Sequence, residues 1–216
     1  MAKLRKTVTR AYAPEDKEIR QRALLQAAQQ LFIAGDGALP AVSDIAAQAG
    51  LAKGTVYLYF KSREEIFATL AYEGWCEIIR DFELTLRSAK GSRATKSNTF
   101  WSAFARHFQA RPELLRLDAL GSVLEGKSGS PVLRGFKQSL TDKLLQCAAV
   151  LEEALGLPDG RGMQLLMRSF AMTRGLWQQF NQPYPAKPGV EAPLCFADEL
   201  SEALSEYWRG ALTTRK

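Results

Sequence analysis

The chain of 216 residues is 46% hydrophobic and 24% charged, which is typical of folded globular domains and excludes wholesale disorder. Its formal net charge is +6, and residues 1–63 contain ten Lys or Arg against five Asp or Glu, so five of the six excess positive charges lie in the first third. This distribution favours a polyanionic partner, and a solvated basic tail is the alternative. The chain shows neither an apolar run of 18 residues nor a signal peptide, so we expect a cytoplasmic protein with no membrane partner.

Apolar residues recur at helical spacing along almost the entire chain, with glycine and proline between these stretches, so we predict an all-α fold of about nine helices. Residues 1–16 are polar and basic and are predicted to form a flexible arm. The segment 182–194 contains four prolines and is predicted to be a loop, as is 88–97. The predicted helices span approximately residues 17–34, 42–48, 53–60, 62–87, 98–110, 112–126, 131–155, 160–181 and 196–213.

Residues 42–60, VSDIAAQAGLAKGTVYLYF, carry the pattern that points to a function. Two short helices flank a turn at Gly50, a residue that adopts a positive φ without strain. Ile45 and Val56 are expected to face inward, and the small Ala46 lets the two helices approach closely. Such a helix-turn-helix unit places its second helix in the major groove of DNA.

The outward residues of this segment suit contact with DNA. Lys53 supplies a cation, and Gly54 would allow the backbone to approach a phosphate or a base. Thr55 can form hydrogen bonds or set its methyl group against that of a thymine. Tyr57 has a hydroxyl suited to a hydrogen bond with a phosphate oxygen. Lys61 and Arg63 follow at the start of the fourth helix, where the helix dipole also favours phosphate.

This segment is similar to the DNA-binding domain of the TetR family of one-component regulators. The similarity covers about residues 19–70. The matching positions are Ala27-Ala28, Leu31-Phe32, Ile45-Ala46, Ala49-Gly50, Lys53-Gly54-Thr55-Val56-Tyr57, Tyr59-Phe60 and Ser62-Arg63-Glu64. The resemblance implies that Ser43 on the second helix and Tyr59 on the recognition helix also contact DNA, and that Arg63 binds a phosphate group. The predicted DNA-binding residues are Ser43, Lys53, Gly54, Thr55, Tyr57, Tyr59, Lys61 and Arg63.

The chain departs from the family pattern at the starts of the two short helices. Ala41 and Ala52 stand where family members usually have Ser or Thr, and each missing cap costs about 1 kcal/mol. Ser43 would be able to cap a later start of the second helix. Ser62-Arg-Glu-Glu65, in contrast, has the spacing of a capping box for the fourth helix. A helical hairpin that only packs, with its tyrosines in the core, is the alternative for this segment.

The resemblance implies two domains, a helix-turn-helix domain at 17–64 and a helical ligand-sensing and dimerisation domain at 65–216. It implies a ligand-responsive regulator, most often a repressor, that binds a near-palindromic site in double-stranded DNA as a homodimer and is released by a small-molecule effector. A small-molecule-binding protein with a vestigial DNA-binding head is the alternative, and an enzyme and a nonspecific nucleoid-coating protein are further rivals.

Residues 65–216 offer candidates for ligand binding and dimerisation, each of which has core packing or a surface role as its alternative. Aromatic residues on several predicted helices could line an apolar pocket. They are Trp75, Trp101, Phe104, Phe108, Phe136, Phe170 and Trp177. Arginines within apolar helices could pair with a ligand carboxylate, namely Arg106, Arg116, Arg168 and Arg174. Residues at interface spacing on the last two helices are the dimer candidates. They are Met167, Ala171, Arg174, Gly175, Gln178, Tyr207 and Trp208.

Residue types that support catalysis or metal binding are scarce. His107 is the one histidine of the chain, and no G-x-S-x-G motif, phosphate loop or dinucleotide fingerprint is present. Cys76, Cys147 and Cys195 form no CxxC pair, so small buried thiols are favoured over a zinc site or disulfides. We therefore predict no enzyme activity, cofactor or metal, and favour a packed or interfacial role for His107.

Overall fold

The computed structural model describes residues 14–35, 37–125, 131–181 and 195–213, and this part of the chain forms helices and no strands. The prediction of an all-α fold is confirmed. The helices are α1 (Pro14–Ala34), α2 (Val42–Gln48), α3 (Lys53–Val56), α4 (Arg63–Ser88), α5 (Arg93–Ala110), α6 (Pro112–Ala119), α7 (Gly121–Glu125), α8 (Pro131–Leu155), α9 (Arg161–Phe180) and α10 (Phe196–Leu212). None of these helices is long and apolar enough to cross a lipid bilayer.

The helix boundaries differ from the predicted ones at four places. The predicted helix 112–126 is divided at Leu120 into α6 and α7, so the described part has ten helices rather than about nine. The loop predicted at 88–97 is wrong beyond Ser92, whose Oγ accepts a hydrogen bond from the Thr95 N–H at 3.2 Å and starts α5 there. α1 begins at Pro14, three residues earlier than predicted, so residues 14–16 of the predicted arm are helical. The rest of that arm, residues 1–13, lies outside the described residues. The predicted loop 182–194 also lies outside them.

The fourth difference concerns α3, which ends at Val56 instead of Phe60. Beyond it the backbone continues as a helical turn, in which the N–H groups of Leu58 and Tyr59 donate to the carbonyls of Thr55 and Val56 at 3.1 and 3.0 Å. These bonds join residues three apart, which gives a tighter turn than the α-helix.

The chain divides into two compact units, Met1–Leu70 and Ala71–Lys216, and the division falls within α4. We call them the N-terminal unit and the C-terminal unit. The core of the N-terminal unit is formed by apolar side chains of α1 to α4, with the rings of Phe32 and Phe67 at a centroid distance of 5.6 Å. The buried side chains of this core include Leu24, Ala28, Phe32, Ile45, Val56, Phe60, Ile66 and Phe67.

The core of the C-terminal unit is a cluster of aromatic rings between α4, α5, α9 and α10. Phe104 is fully buried and lies at 5.0 Å, ring to ring, from Phe82 on α4. It lies at 5.1 Å from Phe170 on α9, and Phe100 lies at 5.3 Å from Trp208 on α10. Ring contacts therefore join α4 and α5 to α9 and α10, which are distant from them in the chain.

Two glycines allow helices of the C-terminal unit to pack closely. A Cβ at Gly162 on α9 would collide with the carbonyl oxygen of Ala148 on α8, and the Gly162 N–H donates to Glu152 Oε1 at 2.7 Å. A Cβ at Gly74 on α4 would collide with the buried side chain of Leu114 on α6. Since backbone cannot move aside as a side-chain end can, Gly162 is the more constrained of the two.

Candidate nucleic-acid interface

α2, a glycine turn and α3 form the helix-turn-helix of the N-terminal unit. Gly50 follows α2 with φ +67°, the left-handed conformation that ends a helix without strain only at glycine. The Leu51 N–H then donates to the Ala46 carbonyl at 2.8 Å, which closes the turn. Ile45 and Ala46 on α2 and Val56 on α3 are buried, as the sequence predicted.

The segment from α3 to the start of α4 presents one buried side and one exposed side. Val56 and Phe60 are 1% and 2% exposed and anchor it to the core. Between them, Tyr57 and Leu58 are 51% and 72% exposed. The alternative in which Tyr57 is a core aromatic is therefore wrong, because residues 56 and 60 occupy the inward side of this turn.

The predicted DNA-binding residues all lie in this N-terminal unit, on α2, on α3 and its following turn, and at the start of α4. The exposed ones are Ser43, Lys53, Gly54, Tyr57 and Lys61, and the half-buried ones are Thr55, Tyr59 and Arg63. Leu58 was missed by the sequence analysis, although an apolar residue between two tyrosines outside the helical apolar stripe was a signal that could have found it.

The two short helices begin without side-chain caps. Ala41 and Ala52 occupy their N-cap positions, in extended conformations and with no side-chain hydrogen bond. The expectation that Ser43 caps a later start of α2 is wrong, because α2 begins at Val42 and the Ser43 hydroxyl donates to Asp44 Oδ1 at 3.2 Å. Tertiary packing of the buried residues, rather than capping, therefore holds these helices.

The start of α4 is secured by hydrogen bonds from both sides of the predicted capping box. The Glu65 N–H donates to Ser62 Oγ at 3.1 Å, so Ser62 caps the helix as predicted. The Glu65 carboxylate accepts from the backbone N–H of Lys61 at 2.8 Å, one residue before the usual position. This pair fixes the backbone that carries Lys61 at the exposed edge of the unit.

The guanidinium group of Arg63 is engaged within the protein. Its Nη1 donates to the carbonyl of Leu39 at 3.2 Å, and its Nε and Nη2 donate to Glu64 Oε1 at 3.3 Å. Partial burial raises the pKa of Glu64, but backbone hydrogen bonding and the Arg63 charge lower it more, so the net pKa lies below its ordinary value. Arg63 thus links the start of α4 to the segment before α2, and three of its five N–H groups are used for this.

The predicted ligand-pocket residues are only partly brought together. Phe104, Phe108, Phe170 and Trp75 belong to the aromatic cluster, where Trp75 lies 5.6 Å from Phe108 and 5.3 Å from Phe170. Sequence reasoning missed two members of the same cluster, Phe82 and Phe100, although the four-residue spacing of Phe100, Phe104 and Phe108 was a usable signal.

The other three pocket candidates lie elsewhere. Trp101 is half-buried, and its Nε1 donates to Asn98 Oδ1 at 3.0 Å on its own helix. Phe136 on α8 stacks on Tyr72 of α4 with a centroid distance of 4.3 Å and an interplanar angle of 8°. Trp177 is half-buried on α9.

The arginines of the C-terminal unit also differ in their surroundings. Arg174 forms a two-point ion pair with Asp118, with Nε–Oδ2 and Nη2–Oδ1 distances of 2.6 Å. Arg106 and Arg168 are exposed, and Arg116 is half-buried. The ion-pair alternative is therefore the one observed for Arg174.

The dimer-interface candidates on α9 share one exposed face, whereas those on α10 do not. The exposed candidates are Met167, Ala171, Arg174, Gly175 and Gln178. Trp208 is wrong as a surface anchor, because it is fully buried and its Nε1 donates to Ser169 Oγ at 3.1 Å inside the core. Tyr207 is half-buried, and its hydroxyl oxygen is buried without a hydrogen-bond partner among the described residues.

His107 and the cysteines have mainly structural surroundings. His107 packs edge-on against Phe82 at 5.5 Å, and its Nε2 lies 3.9 Å from Asp81 Oδ2. Burial lowers the pKa of His107 below its ordinary value, in spite of the opposing effect of Asp81. Cys147 is buried, which raises the pKa of its thiol to about 12. The described residues contain no cluster of groups that could hold a metal ion.

The expectation of buried thiols is wrong for Cys195, which is exposed at the N-cap of α10. Its sulfur accepts a hydrogen bond from the Asp198 N–H at 3.5 Å, so the thiol acts as a helix cap. Cys76 is half-buried on α4.

Comparisons with known proteins identify the family of the chain. Residues 72–215 match the family model described as tetracyclin repressor-like, C-terminal domain, and residues 24–70 match that of bacterial regulatory proteins, tetR family. The fatty acid metabolism regulator protein of Bacillus subtilis is 30% identical over 150 residues, which are 66% of this chain and 75% of that protein.

Two further relatives agree. The HTH-type transcriptional regulator YfiR of Bacillus subtilis is 28% identical over 102 residues, 47% of this chain and 45% of that protein, so this match spans less than half of that relative. The crystal structure of FadR from Bacillus subtilis in complex with stearoyl-CoA shares the fold, with a TM-score of 0.59, 22% identity, and coverage of 88% of this chain and 98% of that one. The chain is therefore a transcriptional regulator of the TetR family, with an N-terminal helix-turn-helix domain and a helical C-terminal domain.

Proposed function

We propose that this regulator is a repressor that binds a near-palindromic operator in double-stranded DNA as a homodimer and is released when a small molecule binds its C-terminal unit. The observation that carries the proposal is the exposed side of α3 and the turn after it, on a segment anchored by Val56 and Phe60. On this proposal the protein regulates transcription and does not catalyse a reaction. Because its target is chromosomal DNA, it acts in the cytoplasm.

The DNA-contacting surface combines cations with a close backbone approach. Lys53 and Lys61 are exposed at the two ends of the segment, and Tyr57, which lies between them in the chain, is 51% exposed. A Cβ at Gly54 would meet nothing within 4 Å in the part of the chain that the structure describes. Packing therefore does not require glycine there, and close approach of the Gly54 backbone to DNA supplies a reason for its presence.

The exposed face of α9 supports the homodimer. Met167 is 50% exposed, and the small residues Ala171 and Gly175 follow it at helical spacing. A Cβ at Gly175 would meet none of the described residues within 4 Å, so a neighbouring helix could approach closely there. A two-fold axis through such a face makes the N-terminal units of the two subunits equivalent, and the operator must then have matching two-fold symmetry.

The relatives favour a long-chain fatty acyl thioester as the effector. One relative is a fatty acid metabolism regulator, and a structure with the same fold contains stearoyl-CoA. The aromatic cluster of α4, α5 and α9 provides an apolar interior that an acyl chain could enter by displacing ring contacts. Such a ligand weakens DNA binding only if it binds the operator-free arrangement more tightly. α4 connects the two units along the chain and is the segment through which the change would pass.

Selection of genomic DNA fragments by the full-length protein, at physiological salt and with excess nonspecific competitor, tests the first part. Enrichment of one or a few near-palindromic sites is expected. Uniform, salt-sensitive binding to all fragments would instead indicate a nonspecific coating protein. Operator affinity is then measured by fluorescence anisotropy during titration with stearoyl-CoA, with coenzyme A and stearate as controls. Tight binding of stearoyl-CoA by a protein that selects no site would support the vestigial-head alternative.

The dimer is tested separately, by sedimentation equilibrium of the variant Ala171→Glu. A charge buried at a subunit interface is expected to shift the protein toward monomer and to lower operator affinity. Ala149→Glu, which makes the same change on the exposed side of α8, is the matched control and should remain dimeric. Equal weakening by both variants, or by neither, would contradict the assignment of the interface to α9.

A further inference from the structure

Leu58 is the most exposed large hydrophobic residue in the part of the chain that the structure describes. Its side chain is 72% exposed, whereas Val56 and Phe60 on either side of it are almost completely buried. The Leu58 N–H donates to the Thr55 carbonyl at 3.1 Å, so the side chain lies one tight helical turn beyond Thr55. Residues three apart in such a turn share a face, so Leu58 lies on the same face as Thr55, the residue that is suited to contact with bases.

The surroundings of Leu58 restrict what it can contact. Exposed Lys53 precedes it and exposed Lys61 follows it, so the surface that carries it is positively charged and complementary to a polyanion. A leucine side chain has no donor or acceptor and cannot bind phosphate. Within the major groove, the apolar group that it can contact is the 5-methyl group of thymine.

We propose that Leu58 is a specificity-determining residue that packs against the 5-methyl group of one thymine in each operator half-site. This inference rests on the proposed DNA-binding function and goes beyond it, because it assigns a base to a residue. Leu58 then distinguishes thymine from cytosine and from uracil by shape, and contributes little to nonspecific binding, which depends on phosphate contacts.

The test replaces each operator thymine in turn by deoxyuridine, which lacks only the 5-methyl group. Affinities of the full-length protein are measured by fluorescence anisotropy at one fixed salt concentration. One uracil position per half-site is expected to weaken binding of the unsubstituted protein about fourfold, the factor for one buried methyl group. The variant Leu58→Ala should bind the thymine operator correspondingly less well and should no longer respond to uracil at that position.

Two variants make the result specific to Leu58. Leu84→Ala changes another exposed leucine, 58% exposed on α4 in the C-terminal unit, and should retain the full uracil effect. Thr55→Ser removes the methyl group of the residue three positions before Leu58 and should also retain the effect at the Leu58 position. Nonspecific DNA affinity and the thermal unfolding midpoint should be unchanged in Leu58→Ala, because the side chain packs against little of the protein.

The outcomes separate this inference from the proposed function. A uracil effect that persists in Leu58→Ala, or that disappears in Thr55→Ser instead, would overturn the role of Leu58 while leaving a specific regulator in place. No uracil effect at any position of a selected operator would also overturn it. Failure to select any operator would overturn the proposed function itself, and the role of Leu58 with it.

Discussion

The two units of this protein differ in how far a residue's chemical type reveals its role. In the N-terminal unit, the five residues from Val56 to Phe60 include two buried anchors and two side chains more than half exposed. In the C-terminal unit, Phe104, Phe108 and Trp208 are large apolar side chains that are fully buried, so residues whose type suggested contact with a ligand or a partner lie packed in the core. A short segment at the surface has one covered side, whereas long bundle helices are covered by several neighbours.

The substitution Phe104→Ala should break the C-terminal unit and is the largest effect we expect. Its ring lies between 5.0 and 6.4 Å from those of Phe82, Phe100, Phe108 and Phe170, so the change leaves a cavity at the centre of the cluster. We expect the free energy of unfolding to fall by about 3–5 kcal/mol. Urea titration followed by tryptophan fluorescence measures it, since the chain's four tryptophans all lie in this unit.

Leu84→Ala is the control for this comparison, because Leu84 is exposed on α4. It should change stability by about 0.5 kcal/mol or less. A similar loss for both variants would show that the aromatic cluster is not the part that holds the C-terminal unit together.

Gly162→Ala tests the close packing of α8 and α9. The new Cβ would collide with the Ala148 carbonyl, and we expect the free energy of unfolding to fall by about 1–3 kcal/mol. Gly135→Ala on α8 adds a methyl group where none of the described residues lies within 4 Å, and it should stabilise the helix by up to about 1 kcal/mol. If the thermal unfolding midpoint rises in Gly162→Ala as it should in Gly135→Ala, then α8 and α9 can move apart at Gly162 without a loss of stability.

Gly54→Ala sharpens the contrast between packing and function in the N-terminal unit. Its Cβ would meet no atom of residues 14–35, 37–125, 131–181 or 195–213 within 4 Å, so stability should stay the same or rise by about 0.5–1 kcal/mol. Operator affinity should fall about tenfold, as expected for loss of a backbone hydrogen bond to phosphate. Calorimetry and fluorescence anisotropy on the same sample give the two values. Unchanged operator affinity would show that the backbone of Gly54 does not approach the DNA closely.

The pH dependence of stability should show a small contribution from His107. Burial holds its folded-state pKa below the ordinary value near 6.5, so the unfolded chain binds the proton more readily. The stabilising contribution is present above about pH 6.5 and declines as the pH falls through the lowered pKa. Between pH 7.5 and 5.5, the unfolding midpoint of the unsubstituted protein should fall more than that of His107→Gln. Parallel curves would assign the decline to other groups.

Sequence patterns predicted the N-terminal unit better than the C-terminal one. The buried positions Ile45 and Val56, the turn at Gly50 and the cap at Ser62 depend on neighbours within a few residues, and each is present. The C-terminal errors concern contacts that join distant parts of the chain. Trp208 donates a hydrogen bond to Ser169, 39 residues away, which no local spacing could indicate.

The sequence by itself determined the helical class, the order of the helices, the helix-turn-helix and the family. These follow from helical periodicity, from glycine and serine at helix ends and from a dense local motif, all of which act within about one or two turns. Only the tertiary structure decided that Trp208 is core, that Arg174 is paired with Asp118 and that Leu58 is exposed. The reason is that burial depends on which helices cover a face, and that coverage is set by the packing of the whole unit rather than by the residue or its neighbours in the chain.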